Sequence, residues 1–543
     1  MRSTMMDVPL LVSSVLRHAA LYHGETEIVS QTVEGPVHRT TYAGTWRRCG
    51  RLANVLAGCA LGRGDRVGTL AWNGYRHLEI YYAAAGTGHV CHTINPRLFP
   101  DQIAFIINHA ADRVLFVELS FLDLLESIAD RLRTVETVVV LTDRAHMPAN
   151  SRLPGLQCYE DLLAAEDEGF DWPALDEDAA AALCYTSGTT GDPKGVLYSH
   201  RSMVLHAMAV CQPDAFALSA RSVVMPVVPM FHVNAWGLPY AAPLVGAKLV
   251  LPGPRLDGAS LHALMMAEGV TFTAGVPTVW MALLDWVDAN ADGFGPLQRV
   301  AVGGSACPPV MFERFRAHNV EVCHAWGMTE TSPVGLVNWP KPGATRTPAA
   351  ETAFSAKQGR PLFGMEFRVL DADGNEIAHD GTAFGSLHVR GPWVAAGYFG
   401  TASSPAHAIP GWFETGDVVT MDADGFVQIV DRTKDVIKSG GEWISSIDLE
   451  NIALSHPAVR EAAVVARPDA RWGERPLLVV VLREGAAPRE QDLLAHYAGK
   501  VARWCVPDEV RFAKEFPHTA TGKLLKAKIR ELYAAPSPPN AAA

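Results

Sequence analysis

The chain has 543 residues, of which 48 % are hydrophobic and 19 % are charged, so a wholly disordered protein is excluded and more than one domain is expected. The 46 Lys and Arg residues against 58 Asp and Glu residues give a formal net charge of −12. A nucleic-acid-binding protein would show the opposite balance. An anionic ligand therefore has to be held by a few local groups.

Nine cysteines are spread along the chain, and no two of them are spaced as C-x-x-C. This pattern predicts reduced thiols in a cytoplasmic protein, with no zinc site and no disulfide. Cys184 and Cys323 lie beside the motifs described below, and packing is favoured over catalysis for both. No apolar run reaches the length of about 18 residues that spans a membrane, the N-terminus is a poor signal peptide, and residues 534–543 are expected to form a disordered tail.

Short apolar runs alternate with helical patterns over most of the chain, which predicts an α/β fold of parallel sheets covered by helices. The strand Ala180–Tyr185 runs into a glycine-rich loop, and a helix is predicted to begin near Ser199. A strand at 300–302, a helix from Pro308 to about residue 319 and a strand at 320–323 form a predicted βαβ unit. Because ligands collect beyond the carboxyl ends of such strands, three segments become candidates for a binding site: 186–195, 303–306 and 326–330.

From Gly385 the pattern changes to short strands and turns, which predicts an antiparallel region. A charged linker at 431–435 precedes the last hundred or so residues, which predict a small, separate α+β domain. Its order is strand, helix, two strands, helix, strand, helix, with helices at 447–454 and 490–504 and strands at 461–466 and 477–482.

The segment 185–195 contains three glycines, four hydroxyl residues of the Ser/Thr type and one lysine. Glycines let backbone N–H groups turn toward an anion, hydroxyls donate to its oxygens and the lysine balances charge. We interpret it as a phosphate-binding loop, although the Walker pattern is absent. The alternative is an ordinary surface loop.

Four further segments carry weaker signals, and each has a plain structural alternative. The segment 324–331 offers Trp326 for stacking on a base, Thr329 for phosphate and Glu330 for Mg²⁺, or else a core Trp and a helix cap. Asp417 in a T-G-D is either a turn residue or a ribose-binding carboxylate. Lys523 follows a Thr-Gly turn and is normally a solvated charge, and the segment 229–237 is either core or the wall of an apolar pocket.

Taken together, the loop at 185–195, W-G-M-T-E at 326–330, T-G-D at 415–417, D-R-T-K-D at 431–435 and T-G-K at 521–523 resemble the ANL superfamily of adenylate-forming enzymes in order and approximate spacing. The resemblance covers about residues 10–533. Within the superfamily, the chain is most similar to bacterial fatty-acyl-CoA synthetases. The segments that carry this similarity are PMFHVNAWGLPYA, VLPGPRLD, TFTAGVPTVW and HTINPRLFPDQIAFIINHA. The 3-methylmercaptopropionate-CoA ligases share much of the same sequence in these segments.

The resemblance implies two half-reactions. A carboxylate attacks the α-phosphate of ATP and releases pyrophosphate, and the thiol of CoA then displaces AMP. Lys523, Thr186 and Glu330 are the implied catalytic residues, and Thr186 and Glu330 the implied metal ligands for Mg²⁺. Trp326 stands where the family usually has Tyr, and either ring offers a stacking face. The implied ATP- and AMP-binding residues are Thr186, Ser187, Gly188, Thr189, Thr190, Lys194, Gly304, Ser305, Ala306, Trp326, Gly327, Met328, Thr329, Asp417, Arg432 and Lys523.

The resemblance also implies a small domain that rotates between the two half-reactions, with Lys434 at the hinge. The implied acyl site contains His232, Val233, Asn234, Trp236 and Gly327, and Trp236 matches a gate residue of some long-chain enzymes. The implied CoA-binding residues are Lys438, Ser439, Gly440, Gly441, Glu442 and Trp443.

The favoured hypothesis is a ligase that joins a medium- to long-chain fatty acid to CoA with ATP, Mg²⁺ and CoA as cofactors. The alternatives are a short-chain acid ligase such as a 3-methylmercaptopropionate-CoA ligase, a ligase that loads a carrier protein, and a non-catalytic nucleotide-binding relative. The resemblance predicts a large domain at 1–430 with two helix-covered sheets and a distorted β-barrel, a hinge at 431–435 and a mobile domain at 436–533. A homodimer is suggested by analogy only.

Overall fold

The structure is a computed structural model of the chain. It describes residues 1–543 except 2, 154, 187–192, 344–345, 441, 519–523 and 535–543, and it leaves out the side chains of 348, 349 and 442. None of the helices in the described part of the chain is long and apolar enough to cross a membrane.

One sheet of the large domain has seven strands, and all neighbouring pairs are parallel except the last. The strands read as near-continuous apolar runs because helices cover both faces. In spatial order they are Gln157–Cys158, Thr137–Val140, Asp112–Val117, Arg66–Leu70, Val90–Thr93, Ala180–Tyr185 and Gly195–Ser199.

A second sheet has nine strands, parallel through its six central members and antiparallel at both ends. It contains the predicted βαβ unit, whose strands Arg299–Val302 and Glu321–Gly327 pair in parallel around the helix Pro309–Ala317. In spatial order the strands are Arg360–Pro361, Val334–Val337, Glu321–Gly327, Arg299–Val302, Phe272–Gly275, Val223–Pro226, Lys248–Leu251, Glu27–Gln31 and Val37–Thr41.

Helices cover the outer faces of both sheets and fill the space between them, as the α/β prediction requires. One apolar core joins the inner faces of the two sheets, and two further cores lie on the outer faces. The helix Tyr75–Gly86 lies in the inner layer and is buried at all twelve positions, as expected of a helix packed on every side. The other helices of this region are Val12–Tyr22, Tyr42–Gly58, Pro100–Ala110, Leu122–Glu126, Tyr159–Ala164, His200–Val210, Leu238–Val245, Gly258–Glu268, Pro277–Asn290, Pro309–Ala317 and Pro348–Ser355.

The region predicted as a distorted β-barrel is a four-stranded antiparallel sheet. Its last strand forms a single bridge, Gly359 with Val427, to the end of the nine-stranded sheet. The antiparallel region therefore continues that sheet around a corner. Its strands are Glu366–Leu370, Phe384–Arg390, Phe413–Met421 and Val427–Arg432.

The C-terminal region follows the predicted order of elements except that two strands, not one, precede the first helix, and it forms its own five-stranded sheet with apolar cores on both faces. The Ser445 hydroxyl accepts from the Asp448 N–H at 3.1 Å and caps the first helix. The helix predicted at 490–504 is wrong in length: it ends at Ala495, and Gly499 has a left-handed φ of 73°. The elements are Ile437–Ser439, Glu442–Ile444, Ser446–Leu454, Val459–Asp469, Gly473–Leu482, Glu490–Ala495, Glu509–Ala513 and Lys526–Tyr533.

Candidate active site

The predicted phosphate-binding loop is the tip of a β-hairpin. A strand that was not predicted, Gly195–Ser199, follows the loop and pairs with Ala180–Tyr185, and the helix predicted near Ser199 begins at His200. At the base of the tip, the Thr186 N–H donates to the Lys194 carbonyl at 2.9 Å, and the Lys194 N–H donates to the Thr186 hydroxyl at 3.1 Å. These two bonds fix both ends of the loop. Its centre, with Ser187, Gly188, Thr189 and Thr190, lies outside the described residues.

A tyrosine connects this loop to the predicted metal-binding carboxylate. The Lys194 ammonium lies 4.9 Å from the centre of the Tyr398 ring, a cation–π contact. The Tyr398 hydroxyl donates to Glu330 Oε1 at 2.7 Å, and Glu330 is buried. Burial and the neighbouring Glu330 carboxylate raise the pKa of Tyr398, so this hydroxyl stays a donor at neutral pH. Among the described residues, the second oxygen of Glu330 has no such bond and remains available for a further partner.

Glu330 belongs to a short 3-10 helix, Thr329–Thr331, that follows the strand Glu321–Gly327. The Tyr198 hydroxyl donates to the Thr329 carbonyl at 2.6 Å, and the Ala395 N–H donates to the Glu330 carbonyl at 2.7 Å. Gly327 is required at the junction, because a Cβ there would lie 1.9 Å from the Pro333 carbonyl oxygen. The sequence W-G-M-T-E thus makes a tight turn that presents the carboxylate.

Trp326, Asp417 and Arg432, which are far apart in the sequence, meet at one place. The Trp326 indole N–H donates to Asp417 Oδ2 at 2.8 Å, and Arg432 Nε forms an ion pair with Oδ1 at 2.8 Å. The Asp417 carboxylate raises the pKa of Arg432. The ion pair lacks the alignment of a hydrogen bond, so the buried Oδ1 has no hydrogen-bonding partner among the residues that the structure describes, and it keeps the capacity to accept a hydrogen bond from a ligand hydroxyl.

The glycine segment at 303–306 lies against the predicted acyl site. A Cβ on Gly303 would come within 2.8 Å of the Ala325 carbonyl oxygen and 3.0 Å of the Trp236 ring. Trp236 therefore packs directly under this backbone and is only 7 % exposed. Gly304 is half-buried, and Ser305 and Ala306 are exposed, so they are accessible to a ligand at the edge of the sheet.

The predicted acyl segment has an unusual backbone. Val233, Asn234, Ala235 and Trp236 have φ angles of 46°, 48°, 50° and 57°, and Gly237 follows with 77°. All five residues are buried. The left-handed conformation costs about 1–2 kcal/mol for each non-glycine residue, so the surrounding structure has to impose it.

The contacts that impose it come from the buried layer between the two sheets. The Asn234 amide donates to the Tyr240 hydroxyl at 3.1 Å, and its carbonyl accepts from the Cys184 thiol at 3.0 Å. The Asn73 side chain makes three bonds of 2.6–2.9 Å to the backbone at Pro226, Val228 and Met230. In addition, the hydroxyls of Tyr81 and Tyr82 donate to the carbonyls of Met230 and Pro239, on either side of the segment.

The structure supports packing roles for the two cysteines near the motifs. Burial raises the pKa of Cys184 to about 11 and that of Cys323 to about 12, whereas a nucleophilic cysteine needs a lowered value. All nine cysteines are free, as predicted. Cys184 also contributes its thiol proton to Asn234, so it supports the acyl segment.

The predicted CoA-binding residues form a hairpin that lies against the rest of the small domain and the four-stranded sheet. The Lys438 N–H donates to Glu474 at 2.8 Å, the Gly440 N–H donates to the Trp472 carbonyl at 2.8 Å, and the Trp443 ring lies 5.1 Å from that of Phe384. Gly441 and the side chain of Glu442 are outside the described part, as is Lys523. Lys434, the predicted hinge residue, is exposed in a turn.

Sequence reasoning missed the residues that support the site. Tyr398, Asn73 and Tyr81 lie outside the quoted motifs, and each acts through a side-chain hydroxyl or amide whose partners are distant in sequence. The available signal in the sequence was the YYAAA run of the helix 75–86. This helix is fully buried, and its two adjacent tyrosines need buried acceptors.

Two family models cover most of the chain. The model described as AMP-binding enzyme matches residues 16–399, and that of the AMP-binding enzyme C-terminal domain matches residues 448–523. The fold and the site define an adenylate-forming enzyme of the ANL superfamily. The chain belongs to the AMP-binding enzyme family.

Curated relatives match along nearly the whole length. The 3-methylmercaptopropionyl-CoA ligase of Ruegeria lacuscaerulensis is 51 % identical over 535 residues, 98 % of this chain and 99 % of the relative. The medium-chain-fatty-acid–CoA ligase of Ectopseudomonas oleovorans is 48 % identical and covers 98 % of both chains, and the long-chain-fatty-acid–CoA ligase of Thermus thermophilus is 48 % identical over 98 % and 97 %. These relatives confirm the predicted enzyme class, an AMP-forming acyl-CoA synthetase.

Solved structures confirm the fold class. The anthranilate CoA ligase AuaEII in complex with anthranoyl-AMP aligns with a TM-score of 0.85 at 24 % identity, covering 97 % of this chain and 98 % of that chain. ATP-bound MatB from Rhodopseudomonas palustris aligns with a TM-score of 0.82 at 24 % identity, covering 96 % and 99 %. A large sheet domain followed by a smaller C-terminal domain is common to them.

Proposed function

We propose that the enzyme ligates a short aliphatic acid, of the size of 3-methylmercaptopropionate, to CoA through an acyl-AMP intermediate. The observation that carries this choice is Trp236, which is 7 % exposed and packs against Gly303 and the Ala325 carbonyl. We infer that a large ring in that position limits the length of the acyl chain that fits beside the glycine segment. The 51 % identity to a 3-methylmercaptopropionyl-CoA ligase supports the same choice.

In the first half-reaction, a carboxylate oxygen of the acid forms a bond to the α-phosphorus of ATP, and the bond from that phosphorus to the bridging oxygen breaks. Pyrophosphate leaves with the bonding electron pair. Catalysis of such a step rests on positioning and on neutralising phosphate charge. Lys194 and Thr186 supply donors at the hairpin tip, and Lys523, which lies outside the described residues, is proposed to stabilise the transition state.

The donor set fits a magnesium ion. Glu330 is a buried carboxylate with one oxygen bonded to Tyr398 and the other without such a bond to any residue in the described part of the chain, and Mg²⁺ is held by one or two carboxylates together with substrate phosphates. Glu330 and the Thr186 hydroxyl would hold it, and the ion would neutralise phosphate charge. Tyr398 orients the carboxylate through its 2.7 Å hydrogen bond.

The nucleoside of ATP is proposed to bind where Trp326, Asp417 and Arg432 meet. Asp417 Oδ1, which has no hydrogen-bond donor among the described residues, accepts from a ribose hydroxyl, while Arg432 compensates the charge of the buried carboxylate. Gly304, Ser305 and Ala306 line the edge beside the base, with Gly327, Met328 and Thr329 on the turn that carries Trp326.

In the second half-reaction, the CoA sulfur forms a bond to the acyl carbonyl carbon, and the bond from that carbon to the AMP oxygen breaks. The thiol proton has to leave in the process, and AMP departs as the free phosphate monoester. Lys438, Ser439, Gly440, Gly441, Glu442 and Trp443 are proposed to approach the site for this step after rotation at Lys434. We likewise propose that residues 436–533 form a mobile domain and that the enzyme forms a homodimer.

The second candidate is a medium- or long-chain fatty acid, as two relatives at 48 % identity are named for such acids. Trp236 lies on a segment with a strained backbone, and movement of that segment would lengthen the pocket. His232, Val233, Asn234 and Gly327 complete the acyl region that both candidates share.

A pyrophosphate-release assay across straight-chain acids from C3 to C18, with 3-methylmercaptopropionate and aryl acids included, distinguishes the candidates. We expect the highest kcat/KM for the shortest acids and for 3-methylmercaptopropionate, with a steep fall beyond about six carbons. Trp236→Ala should move the optimum to longer chains. A wild-type optimum at C8 or above would establish the second candidate, and turnover only with a phosphopantetheinylated carrier protein would reject CoA as the acceptor.

A further inference from the structure

The turn that joins the two domains is spanned by side-chain contacts. Asp431 belongs to the strand Val427–Arg432 of the four-stranded sheet, on the large-domain side of Lys434. Its carboxylate Oδ2 accepts from both the N–H and the hydroxyl of Ser446, each at 2.6 Å. Ser446 begins the first helix of the small domain, Ser446–Leu454. The neighbouring Ser445 hydroxyl donates to the Val430 carbonyl at 2.7 Å.

Behind Ser446 the contacts continue into the last helix of the chain. The Lys526 ammonium donates to the Ser446 hydroxyl at 2.6 Å and forms an ion pair with Glu450 Oε1 at 2.7 Å. The side chains of Lys526 and Glu450 are only 13 % and 11 % exposed. We call the four residues Asp431, Ser446, Glu450 and Lys526 the hinge clamp.

One residue of the hinge clamp lies on the large-domain side of Lys434, and the other three lie on the small-domain side. If the small domain turns at Lys434, Ser446, Glu450 and Lys526 move together, while Asp431 stays with its sheet. The two hydrogen bonds from Ser446 to Asp431 must then break. Asp431 is 1 % exposed and would keep, of its donors in the described part of the chain, only the Arg432 N–H, which donates to Oδ1 at 2.7 Å. Loss of the two donors to Oδ2 is unfavourable for a buried carboxylate, so the clamp opposes rotation.

We propose that the hinge clamp holds the small domain in the orientation of this structure, and that Ser446 and Lys526 are positioning residues that set how often Lys523 reaches the active site. Lys526 follows Lys523 by three residues, so the clamp fixes the start of the helix next to the predicted catalytic lysine. The effect on the two half-reactions rests on the proposed function, whereas the effect on domain orientation does not.

Hydrogen exchange of the Ser446 amide reports the clamp directly. The first four N–H groups of a helix have no partner within the helix, so protection of this amide depends on Asp431. In the ligand-free protein, Lys526→Met should raise its exchange rate on the order of tenfold. The matched control is Lys528→Ala on the same helix, whose exposed side chain pairs only with Glu531, and it should leave that rate unchanged.

Because Lys526→Met leaves Glu450 buried without its cation, Asp431→Asn gives the same test with less risk to folding, and thermal unfolding checks both variants. Two substrate pairs are compared in the wild type: ATP with acid, and AMP with CoA. We expect the Ser446 amide to lose its protection from exchange with one pair and to keep it with the other. In Lys526→Met, the rates of adenylate formation and of thioester formation from supplied acyl-AMP should change by factors that differ at least about threefold.

Equal protection of Ser446 in every ligand state would overturn the proposal, and so would an equal loss of both half-reactions in Lys526→Met and Asp431→Asn, because either result means a static structural contact. Failure of the proposed function is seen separately. In that case the wild type releases no pyrophosphate with any acid, while the comparison of Lys526→Met with Lys528→Ala in the ligand-free protein still tests the contacts of the clamp.

Discussion

The proposed nucleotide side and the proposed acyl side of the site are built in opposite ways. On the nucleotide side, charged and polar groups are paired with one another before any ligand arrives: Glu330 with Tyr398, and Asp417 with Trp326 and Arg432. On the acyl side, four consecutive buried residues adopt left-handed backbone angles, and their shape depends on hydrogen bonds from the layer behind them.

The difference follows from what each side has to recognise. Phosphates and ribose offer charges and hydroxyls, so oriented partners on an ordinary backbone are sufficient. An apolar chain offers few directional contacts, so its length has to be limited by shape, and the shape is held by strain that the surroundings compensate. Substitutions on the two sides should therefore have different kinetic signatures.

The largest effect is expected from Glu330→Gln on the nucleotide side. Removing the charge of a buried carboxylate that would hold Mg²⁺ should lower the rate of adenylate formation about 10²–10³-fold. Pyrophosphate release over a range of Mg²⁺ concentrations measures it. Tyr398→Phe keeps the carboxylate and removes only its orienting hydroxyl, so it should cost far less, and an unchanged Mg²⁺ dependence in Glu330→Gln would argue against a metal ligand.

Asp417→Asn should have the next largest effect. It removes the anion between Arg432 and the Trp326 indole, and we expect the KM for ATP to rise about 10–100-fold while the KM for the acid stays the same. Initial-rate kinetics with each substrate varied in turn measure both constants. Glu414→Gln, on the same strand but directed at Ser386, is the control, and equal increases in both KM values would remove the distinction between the two sides.

The nucleotide side was largely predictable from the sequence and the acyl side was not. Gly327, Glu330, Asp417 and Arg432 lie in short motifs whose residue types carry the chemistry, and strand ends place such motifs at one edge of a sheet. The hairpin strand Gly195–Ser199 and the left-handed turn at Val233 depend instead on pairing with distant residues, which no local pattern contains. For the same reason Tyr398 and Asn73 were missed.

A smaller effect, confined to the acid, is expected from Asn234→Ala. Loss of both side-chain bonds removes the acceptor of the Cys184 thiol and the donor to the Tyr240 hydroxyl, and it lets the strained turn relax. We expect the KM for the acid to rise about tenfold, with a loss of about 1–3 kcal/mol in the free energy of unfolding and no change in the KM for ATP. Asn290→Ala, on an exposed helix end, is the control. An altered KM for ATP would show that the two sides are coupled.

The smallest effect concerns an ionisable group in the support of the acyl side. Glu118 is buried against Gly74, beside Asn73, and burial raises its pKa to about 8 from an ordinary value of 4.5. Between these two values the folded protein binds more protons than the unfolded chain, so the free energy of unfolding should fall as pH rises from about 4.5 to about 8 and be level above.

We expect Glu118→Gln to remove about 1 kcal/mol of this decline in the free energy of unfolding. The effect is smaller than full burial would give, because solvent at the nearby surface relaxes part of the burial penalty. Urea unfolding at pH 5 and pH 8 gives the free energy of unfolding of the variant and of the wild type. The difference between the two proteins should change between these pH values, and for the exposed Glu313→Gln it should not. A variant that loses the same stability as the wild type between those pH values would mean that Glu118 is ionised throughout. The support of the acyl side would then carry a charge, and its contrast with the pre-paired charges of the nucleotide side would no longer hold.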